Sequence, residues 1–501
     1  MKKTLLNPLL LLTPSLLFAQ ENGEVKNMQV ITVNQSSSTS YGSSVASYAA
    51  NKIMAGSVNG TNNGEVFIHT LNTNGTVQSS VRITRNESGF GNHDIFQDAF
   101  GASVAVVGDL NDDGIDDIVV GAPFFNGQRG SLWFLYLNAD GQVIGERRLS
   151  DTTTGFGSIS NGNNFGTSIT NIGDIDGNGY DDIAVGSPYN NASTSQNGSV
   201  YIILLEKNGT VKSHSRINDN NNLFGRSHFR FGTGLANIGD IDGDGNTDLA
   251  VGEPGLNETV WILFLNSNGT LKSVQEIGKD KGGFTDSFNL NSNFGQSITN
   301  LGDIDGDGIN DIAVGEPGYI NPDSSGTYYG RVWVLLLNAD GTVKKNIEIN
   351  RGKGGFTGNI NSNDRFGRSV SRVPDLDGDS VPELAVGSTG FDVASGSGAV
   401  YILFLKGVPQ VSVAHIAAPA LQVQVYPNPA KEMLHFDFGQ TAPSEATVQL
   451  FDMQGRLLLS QELQTLSNPA IDVSGINTAG VYYLQINSNG SVLHKKILIE
   501  K

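Results

Sequence analysis

Five short segments of the chain place acidic side chains at alternate positions, a pattern that can hold a metal ion. They follow D-x-[DN]-x-[DN]-x-x-x-[DE], usually with glycine at the sixth place, and span 109–117, 174–182, 240–248, 303–311 and 375–383. Acids at positions 1, 3 and 5 converge when the backbone wraps around a point. Position 7 offers its carbonyl oxygen, and the acid at position 9 completes the shell. Without a cation these carboxylates would repel one another.

Such ligand sets contain only oxygen, which indicates a hard cation, and six or seven ligands at flexible distances favour Ca²⁺ over Mg²⁺. The pattern opens like an EF-hand loop, but it lacks the Glu at position 12, and an apolar strand follows it instead of a helix. We therefore predict up to five Ca²⁺ ions as cofactors. The predicted ligands, in chain order, are Asp109, Asn111, Asp113, Ile115, Asp117, Asp174, Asp176, Asn178, Tyr180, Asp182, Asp240, Asp242, Asp244, Asn246, Asp248, Asp303, Asp305, Asp307, Ile309, Asp311, Asp375, Asp377, Asp379, Val381 and Glu383.

The five segments differ from one another in detail. The last has Ser380 where glycine is expected and Glu383 in place of Asp. A non-glycine residue with a positive φ costs about 1 kcal/mol, which predicts a weaker site there. The first repeat has no acids in the corresponding loop of 41–57 and is predicted to bind no metal. The alternative for any one segment is an Asx-rich turn without metal, which five copies at one register make a poorer explanation.

The acidic segments recur within a repeat of about 65 residues. Each unit begins with Phe-Gly and carries four strand-like segments, for example 101–109, 117–123, 131–138 and 142–150. The third segment is apolar nearly throughout, as expected of a strand covered on both faces. Four strands per unit predict an all-β fold, a β-propeller. The units begin at Tyr41 (a weaker copy), Phe100, Phe165, Phe231, Phe294 and Phe366.

Six such starts predict six blades, and the N-terminal sequence suggests how the ring closes. Residues 21–32 match the turn and fourth strand of other units, such as 339–350, so they are expected to complete the last blade beside its third strand, 400–405. Sealing the ring in this way removes an exposed sheet edge. Alternatively, residues 408–416 serve as that fourth strand, and the N-terminal strand is spare or begins a seventh blade.

The combination of Phe-Gly, an acidic loop and VGAP (120–123), VGSP (185–188) or VGEP (251–254 and 314–317) resembles the FG-GAP repeats of the integrin α-subunit propeller. The resemblance covers about residues 41 to 405. Propellers of that family have seven blades, so six and seven both stay open. The resemblance implies calcium at the matched loop positions, on the face opposite the ligand-binding loops.

The C-terminal part resembles a second family. Its motifs are LQVQVYPNPAKEMLHFDF (421–438), VQLFDMQGRLL (448–458), GVYYLQI (480–486) and HKKILIEK (494–501). Their order resembles the type A C-terminal sorting domain of the type IX (Por) secretion system. The alternating patterns predict a small β-sandwich of about seven strands. The resemblance implies export by the type IX machinery across the outer membrane of a Gram-negative bacterium, then removal of the tail and release or surface attachment.

The composition and the segment pattern limit the partners, the location and the domain boundaries of the protein. The net charge of −19 argues against nucleic acid as a partner, and there is no cysteine, so bound cations are the candidate staples of a secreted protein. The sequence predicts a signal peptide at 1–19, a propeller at 20–413, a linker at 414–420 and the sorting domain at 421–501. No other segment reads as a membrane span, so none is expected in the mature chain.

No catalytic motif emerges from the sequence, and we predict no catalytic residues and no enzymatic activity. His69 and His435 lie in apolar strands, whereas His93, His214 and His228 are isolated and are expected to be solvated. The acidic side chains that could act as acid or base are assigned to the cation sites.

The predicted function is instead adhesion or ligand binding by a secreted or surface protein. Long loops rich in Asn, Ser and Gly join the blades and join strands two and three, all on the face away from the acidic loops, which suits recognition of a protein or a glycan. The alternatives are a secreted carbohydrate-active hydrolase or lyase on the same scaffold, and a purely structural surface protein. Four phenylalanines recur in these loops and either face a ligand or fill the gaps between blades: Phe90, Phe156, Phe284 and Phe356.

Overall fold

The chain forms two compact units, Met1–Gln410 and Val411–Lys501. The computed structural model describes residues 22–33, 40–58, 64–93, 95, 97–153, 156–157, 159–189, 197–218, 224–226, 228–256, 258–288, 291–320, 328–390, 398–407, 423–437, 446–451, 457–463, 469–476, 478, 480–488 and 491–500. The predicted signal peptide and linker lie outside these residues, so their boundaries stay predictions.

The first unit contains six four-stranded antiparallel sheets, which we call blades 1 to 6. The first strand among the described residues is β1 (Val25–Ile31), which belongs to blade 6. Blade 1 then has β2 (Tyr41–Ala49), β3 (Lys52–Ser57), β4 (Glu65–Leu71) and β5 (Val77–Ile83). Blade 2 has β6 (Ser103–Val106), β7 (Ile118–Ala122), β8 (Ser131–Leu137) and β9 (Val143–Ser150). Blade 3 has β10 (Ser168–Gly173), β11 (Asp182–Ser187), β12 (Ser199–Glu206) and β13 (Thr210–Ile217).

The remaining blades repeat this order. Blade 4 has β14 (Leu235–Gly239), β15 (Asp248–Glu253), β16 (Thr259–Leu265) and β17 (Leu271–Ile277). Blade 5 has β18 (Ser297–Gly302), β19 (Asp311–Glu316), β20 (Arg331–Leu337) and β21 (Val343–Ile349). Blade 6 has β22 (Phe366–Val373), β23 (Glu383–Ser388) and β24 (Ala399–Leu405). The only helical turns among the described residues are Phe125–Gln128 and the 3-10 turn Lys207–Gly209.

The N-terminal strand completes the last blade, as the sequence predicts. β1 pairs antiparallel with β24, with Val25 opposite Leu405 and Ile31 opposite Val400. Blade 6 therefore has the order β1-β24-β23-β22. Because β24 has a neighbour on each side, it has no free edge for residues 408–416, which lie outside the described residues. The alternative fourth strand is thus excluded.

Six hydrophobic cores, each shared by two neighbouring blades, show that the ring closes with six blades. The core between blades 6 and 1 brings Leu376 and Phe404 together with Tyr41 and Phe67. The five other cores lie between consecutive blades along the chain. Since blade 1 packs directly on blade 6, a seventh blade has no place in the ring.

Burial follows the sequence pattern. The third strand of each blade is covered on both faces, and every residue of β16, β20 and β24 is buried. The four recurrent loop phenylalanines are at most 3% exposed, and Phe90 packs edge-on against Trp133 at 5.3 Å. They fill the gaps between blades, so this alternative holds and they do not face a ligand.

The second unit is a small β-sandwich. One sheet has the order β25-β26-β29 and the other β28-β27-β30-β31. Both sheets contribute to one hydrophobic core, in which Leu434 and Ile471 meet Val448 and Leu484. Its strands are β25 (Gln424–Tyr426), β26 (Met433–Asp437), β27 (Ala446–Phe451), β28 (Leu457–Leu463), β29 (Ala470–Asp472), β30 (Gly480–Ser488) and β31 (Ser491–Ile499).

Candidate metal centres

The antiparallel order of the strands separates the loops of the propeller onto two faces. Connections between first and second strands, which contain the acidic segments, lie on the same face as the turns between third and fourth strands. We call this the lower face and the acidic segments the cation loops. Connections between second and third strands and between blades lie on the opposite, upper face. Blade 1 has no cation loop, since two residues join β2 to β3.

The acid at position 1 organises each cation loop through backbone N–H groups. In blade 5, Asp303 accepts hydrogen bonds from the backbone of Gly306 at 2.6 Å, Asp307 at 3.1 Å and Gly308 at 2.8 Å. Gly308 has a φ of +89°, which an L residue adopts only with strain. The predicted role of glycine at position 6 is therefore confirmed.

The loop in blade 6 keeps this geometry without that glycine. Ser380 has a φ of +67°, and its N–H donates to Asp375 at 2.8 Å, as the corresponding glycine does in blade 5. The strain that the sequence suggests is thus present, and the hydrogen bond is retained.

The acid at position 9 is the buried anchor of the loop. In blade 5, Asp311 is fully buried and accepts hydrogen bonds from Ile304 and from Leu337, each at 3.0 Å. It thereby ties the cation loop to the end of the third strand. Burial raises the pKa of Asp311 to about 7 and that of Glu383 to about 8. The cause is loss of hydration, which disfavours an isolated negative charge. Burial raises the pKa of the corresponding acids to about 6: Asp117, Asp182 and Asp248.

Four of the five loops bring their acids together. In each, carboxylate oxygens from three or four residues lie within 4.8 Å of one another, a spacing that one cation can bridge. The groups are Asp174, Asp176 and Asp182; Asp240, Asp242 and Asp248; Asp303, Asp305 and Asp311; and Asp375, Asp377, Asp379 and Glu383.

Unpaired oxygens in these groups fit a metal ion. Among the described residues, the buried atoms Oδ1 of Asp176, Oδ1 of Asp305 and Oε1 of Glu383 have no hydrogen-bond partner. A buried carboxylate oxygen without a partner is costly, and a cation offsets that cost. The donors are all oxygens and belong to positions 3 and 9, which matches the ligand set of a hard cation.

The loop in blade 2 differs. Its carboxylates do not form such a group, because Asn111 replaces the acid at position 3. Asp109 still accepts N–H hydrogen bonds from Asp113 at 3.0 Å and Gly114 at 2.7 Å, and Asp117 accepts from Leu137 at 3.0 Å. The loop has the same backbone form and, like that of blade 3, has three carboxylates at ligand positions, where the loops of blades 4 to 6 have four.

Residues at positions 5 and 7 also pair with each other. The N–H at position 7 donates to the side-chain oxygen at position 5 in every cation loop, for example from Ile309 to Asp307 at 2.9 Å. The other pairs are Ile115 with Asp113, Tyr180 with Asn178, Asn246 with Asp244 and Val381 with Asp379. In blade 3, the Nδ2 of Asn178 donates to the carbonyl of Leu205 at 2.7 Å.

Lysines next to four cation loops were missed by the sequence analysis. In blades 3 to 6, lysine follows the fourth-strand residue that lies opposite a leucine near the end of the third strand. It is the second residue of the fourth strand in blades 4 to 6 and the third residue in blade 3. The Nζ of Lys272 lies 2.7 Å from Asp242 and 2.5 Å from Asp244. The recurrent apolar-Lys pair in the repeats could have revealed them. The other three contacts are Lys26 with Asp377 and Asp379, Lys212 with Asp176, and Lys344 with Asp305 and Asp307.

Two histidines differ from expectation. His228 is not solvated but buried, with Nδ1 3.1 Å from the carboxylate of Glu253 and its ring 4.4 Å from that of Phe231. The loop that carries it folds back over blade 4. Burial would raise the pKa of Glu253, but hydrogen bonds from His228 and Arg226 outweigh it and hold this pKa near 2. His93 is one-third exposed and pairs with Glu146, whereas His214 is exposed, as expected.

The upper face opens into a central channel of about 1000 Å³. It is lined by the first strands of all six blades and, at its upper mouth, by Phe124, Tyr189 and Arg230. The sequence alone gave no indication of these lining residues, because they come from different repeats. A channel of this size, lined by polar and apolar groups, can accept a small ligand or the end of a larger one.

Three models of known families match parts of the chain. The FG-GAP repeat matches residues 100–135, 165–203, 294–335 and 366–403, and an FG-GAP-like repeat matches 240–314. A secretion system C-terminal sorting domain matches 424–500. This match assigns export to the type IX system, towards the cell surface or the extracellular space. Among the described residues, no helix has the length and apolar character needed to cross a bilayer.

Several integrin α subunits are similar to part of the chain. Integrin alpha-6 of Gallus gallus is 37% identical over 170 residues, which is 33% of this chain and 14% of the relative. Integrin alpha-4 of Xenopus laevis is 36% identical over 155 residues, 30% of this chain and 14% of the relative. Integrin alpha-PS5 of Drosophila melanogaster is 36% identical over 169 residues, which is 32% of this chain and 16% of the relative. The matches thus span only about a seventh of the relatives' length.

A solved structure of an ancestral GH74 enzyme aligns over 95% of this chain and 84% of its own, at 10% identity and a TM-score of 0.21. A likeness at that level carries no argument about fold or activity.

Proposed function

The chain combines integrin-α-like FG-GAP repeats with a secretion-system C-terminal sorting domain, and from this premise we propose that it is a secreted, calcium-stabilised binding protein. In this proposal the cation loops are structural, and the upper face recognises a protein or a glycan. The proposal gives the protein no catalytic activity.

The observation that carries the proposal is the separation of the two faces. The converging carboxylates lie on the lower face, at the ends of buried strands, where a cation can stabilise the blades. The upper face has the longer connections and the channel mouth. Loops held on a rigid scaffold are the usual place for recognition. Metal binding and ligand binding would therefore use different surfaces.

The choice of calcium rests on the ligand chemistry. Every candidate donor is an oxygen, and the loops offer carboxylates from one short segment, which suits a large cation of flexible coordination. Asp305 and Glu383 illustrate the fit, since each has a buried oxygen without a hydrogen-bond partner. Up to five Ca²⁺ ions are proposed, one for each cation loop. The loop in blade 2 has three acids at ligand positions and that in blade 4 has four, so the sites should differ in affinity.

The proposal is tested on the purified mature chain. Native mass spectrometry in millimolar calcium should show up to five bound ions, and none after EGTA treatment. Glycan-array and protein-capture assays should then show specific binding without conversion of the bound molecule. Release of a product from a polysaccharide would contradict the proposal, as would specific binding by a protein that holds no calcium in any condition.

A further inference from the structure

The charge of the central channel is opposite to that of the whole protein. The net charge is −19, yet the described residues that line the channel include three arginines and no acidic residue. Arg230 precedes β14 and Arg368 lies near the start of β22, so both are at the upper mouth. Arg372 lies at the other end of β22, towards the lower face.

The two arginines at the mouth lack an acidic partner among the described residues. Arg230 donates to Asn293 at 3.4 Å and lies over the ring of Tyr189 at 5.7 Å, and its buried Nε has no hydrogen-bond partner. The guanidinium of Arg368 forms no ion pair or side-chain hydrogen bond with the described part of the chain. Among the described residues, no carboxylate neutralises either guanidinium.

Positive charges act on one another at the upper mouth of the channel. Burial lowers the pKa of Arg368, and the positive charges of Arg365 and Arg230 lower it further. Elsewhere the chain pairs its buried arginines, as Arg331 does with Glu316 at 2.6 Å. Uncompensated guanidinium groups in a partly enclosed site favour an anion, which they can bind through several N–H groups at once. The upper mouth therefore has the electrostatics of an anion site.

We propose that the upper mouth of the channel binds the carboxylate of an acidic sugar, with Arg230 and Arg368 as its cationic contacts. This inference rests on the proposed ligand-binding function and names the ligand class and its site. The surroundings favour a sugar over other carboxylates. Phe124 is 48% exposed beside the mouth, where its ring can cover the apolar face of a sugar. The side-chain amides of Gln97, which is exposed, and of Gln296, which is half-buried, offer donors and acceptors to hydroxyl groups.

The test uses the mature chain in calcium, with 3′-sialyllactose and glucuronate as acidic probes and lactose and glucose as neutral counterparts. Calorimetric titration should detect the acidic sugars, with neutral sugars at least tenfold weaker. Arg368→Gln and Arg230→Gln should each weaken acidic-sugar binding about tenfold, whereas Arg368→Lys should weaken it less. Binding should also weaken with added salt, because the attraction is screened.

The matched control is Arg351→Gln, which removes an exposed arginine from another upper-face loop and should change the affinity less than twofold. Each variant is first compared with the parent by its melting temperature in calcium. Equal binding of acidic and neutral sugars, or unchanged binding in both glutamine variants, would overturn the inference. Binding of a glutamate hexapeptide but not of the acidic sugars would also overturn the inference, as would binding of neither probe. These results would leave the proposed binding function to its own test, since a ligand could still bind elsewhere on the upper face.

Discussion

The hydroxyl of Ser369 donates a 2.8 Å hydrogen bond to the backbone carbonyl of Gly42, which lies 327 residues earlier in the chain. This contact joins blade 6 to blade 1 and closes the ring. Equivalent bonds join other neighbouring blades, and blade 4 lacks one because Gly234 has no hydroxyl. The other four are Ser44 to Gly101, Ser103 to Gly166, Ser168 to Gly232 and Ser297 to Gly367.

Ser369→Ala should lower the free energy of unfolding by about 1–2 kcal/mol, because the buried carbonyl of Gly42 loses its partner. Urea denaturation of the calcium-loaded protein measures this value. Ser273→Ala, at an exposed position of β17, is the control and should have little effect. A loss no larger than that of the control would mean that this bond contributes nothing to ring closure.

Gly121→Ala should destabilise the propeller by roughly 3 kcal/mol or more. A Cβ atom at Gly121 would lie 2.1 Å from the carbonyl oxygen of Gly166 in the next blade, and both are backbone positions that cannot move aside easily. Gly278→Ala is the control, since its Cβ would meet no atom closer than 3.4 Å. Thermal and urea unfolding report the difference, and equal stability of the two variants would contradict the close approach of blades 2 and 3.

Removal of calcium should lower the melting temperature, since an ion that binds only the folded state stabilises it by about 2.7 kcal/mol per site at 100 times its Kd. Asp305→Asn should reduce the number of bound ions by one, because it changes the charge of a residue that has an unpaired buried oxygen. Asp286→Asn, in an upper-face loop, should leave the number unchanged. Calorimetry measures the melting temperature, and native mass spectrometry counts the bound ions. An identical melting temperature in EGTA and in calcium would refute the structural role of the ions.

The lysines beside the cation loops should weaken calcium binding. Lys272 contacts Asp242 and Asp244, and Ile144 occupies the corresponding position of blade 2. Lys272→Ile should tighten binding at the loop 240–248 roughly threefold, because an ammonium no longer competes for the carboxylates. The reciprocal Ile144→Lys should weaken binding at 109–117 by a similar factor. Lys281→Ile, which removes a lysine on the upper face, is the control. If both exchanges leave the calorimetric titration unchanged, the lysines do not compete with the cation.

The stability of blade 1 should depend on pH through His69. Its ring hydrogen-bonds to Tyr41 and Ser80 and stacks on Phe67, and burial lowers its pKa from 6.5 to about 4. Between these values the unfolded chain binds more protons than the folded one. The free energy of unfolding should therefore fall as the pH drops from about 6.5 to about 4, by about 3 kcal/mol in total from this group.

His69→Gln should abolish this part of the pH dependence, whereas His214→Gln, at an exposed site, should not. Urea denaturation at several pH values, with each variant compared with the parent, separates His69 from the carboxylates that titrate in the same range. A parallel pH profile for the parent and His69→Gln would contradict the buried neutral ring.

Much of the fold could be predicted because its signals are local. The apolar third strands, the alternating fourth strands and the glycines of the cation loops each reflect the conformation or burial of a few adjacent residues. The same holds for the carboxylates of 303–311, whose spacing brings them together within one loop. His228 was misjudged for the opposite reason. It is isolated in sequence, and its burial beside Glu253 depends on how a loop folds over the blade.

The sequence by itself determined the repeat, the strands, the acidic loops and the two families to which the parts are similar, because these depend on neighbouring residues. Only the tertiary structure decided the number of blades, since closure requires β1 to pair with β24 across nearly the whole propeller. It also decided that Lys272 contacts an acidic loop and that Arg230 and Arg368 both line the channel mouth. Contacts of this kind join residues far apart in the chain, and no local pattern encodes which of them will be neighbours.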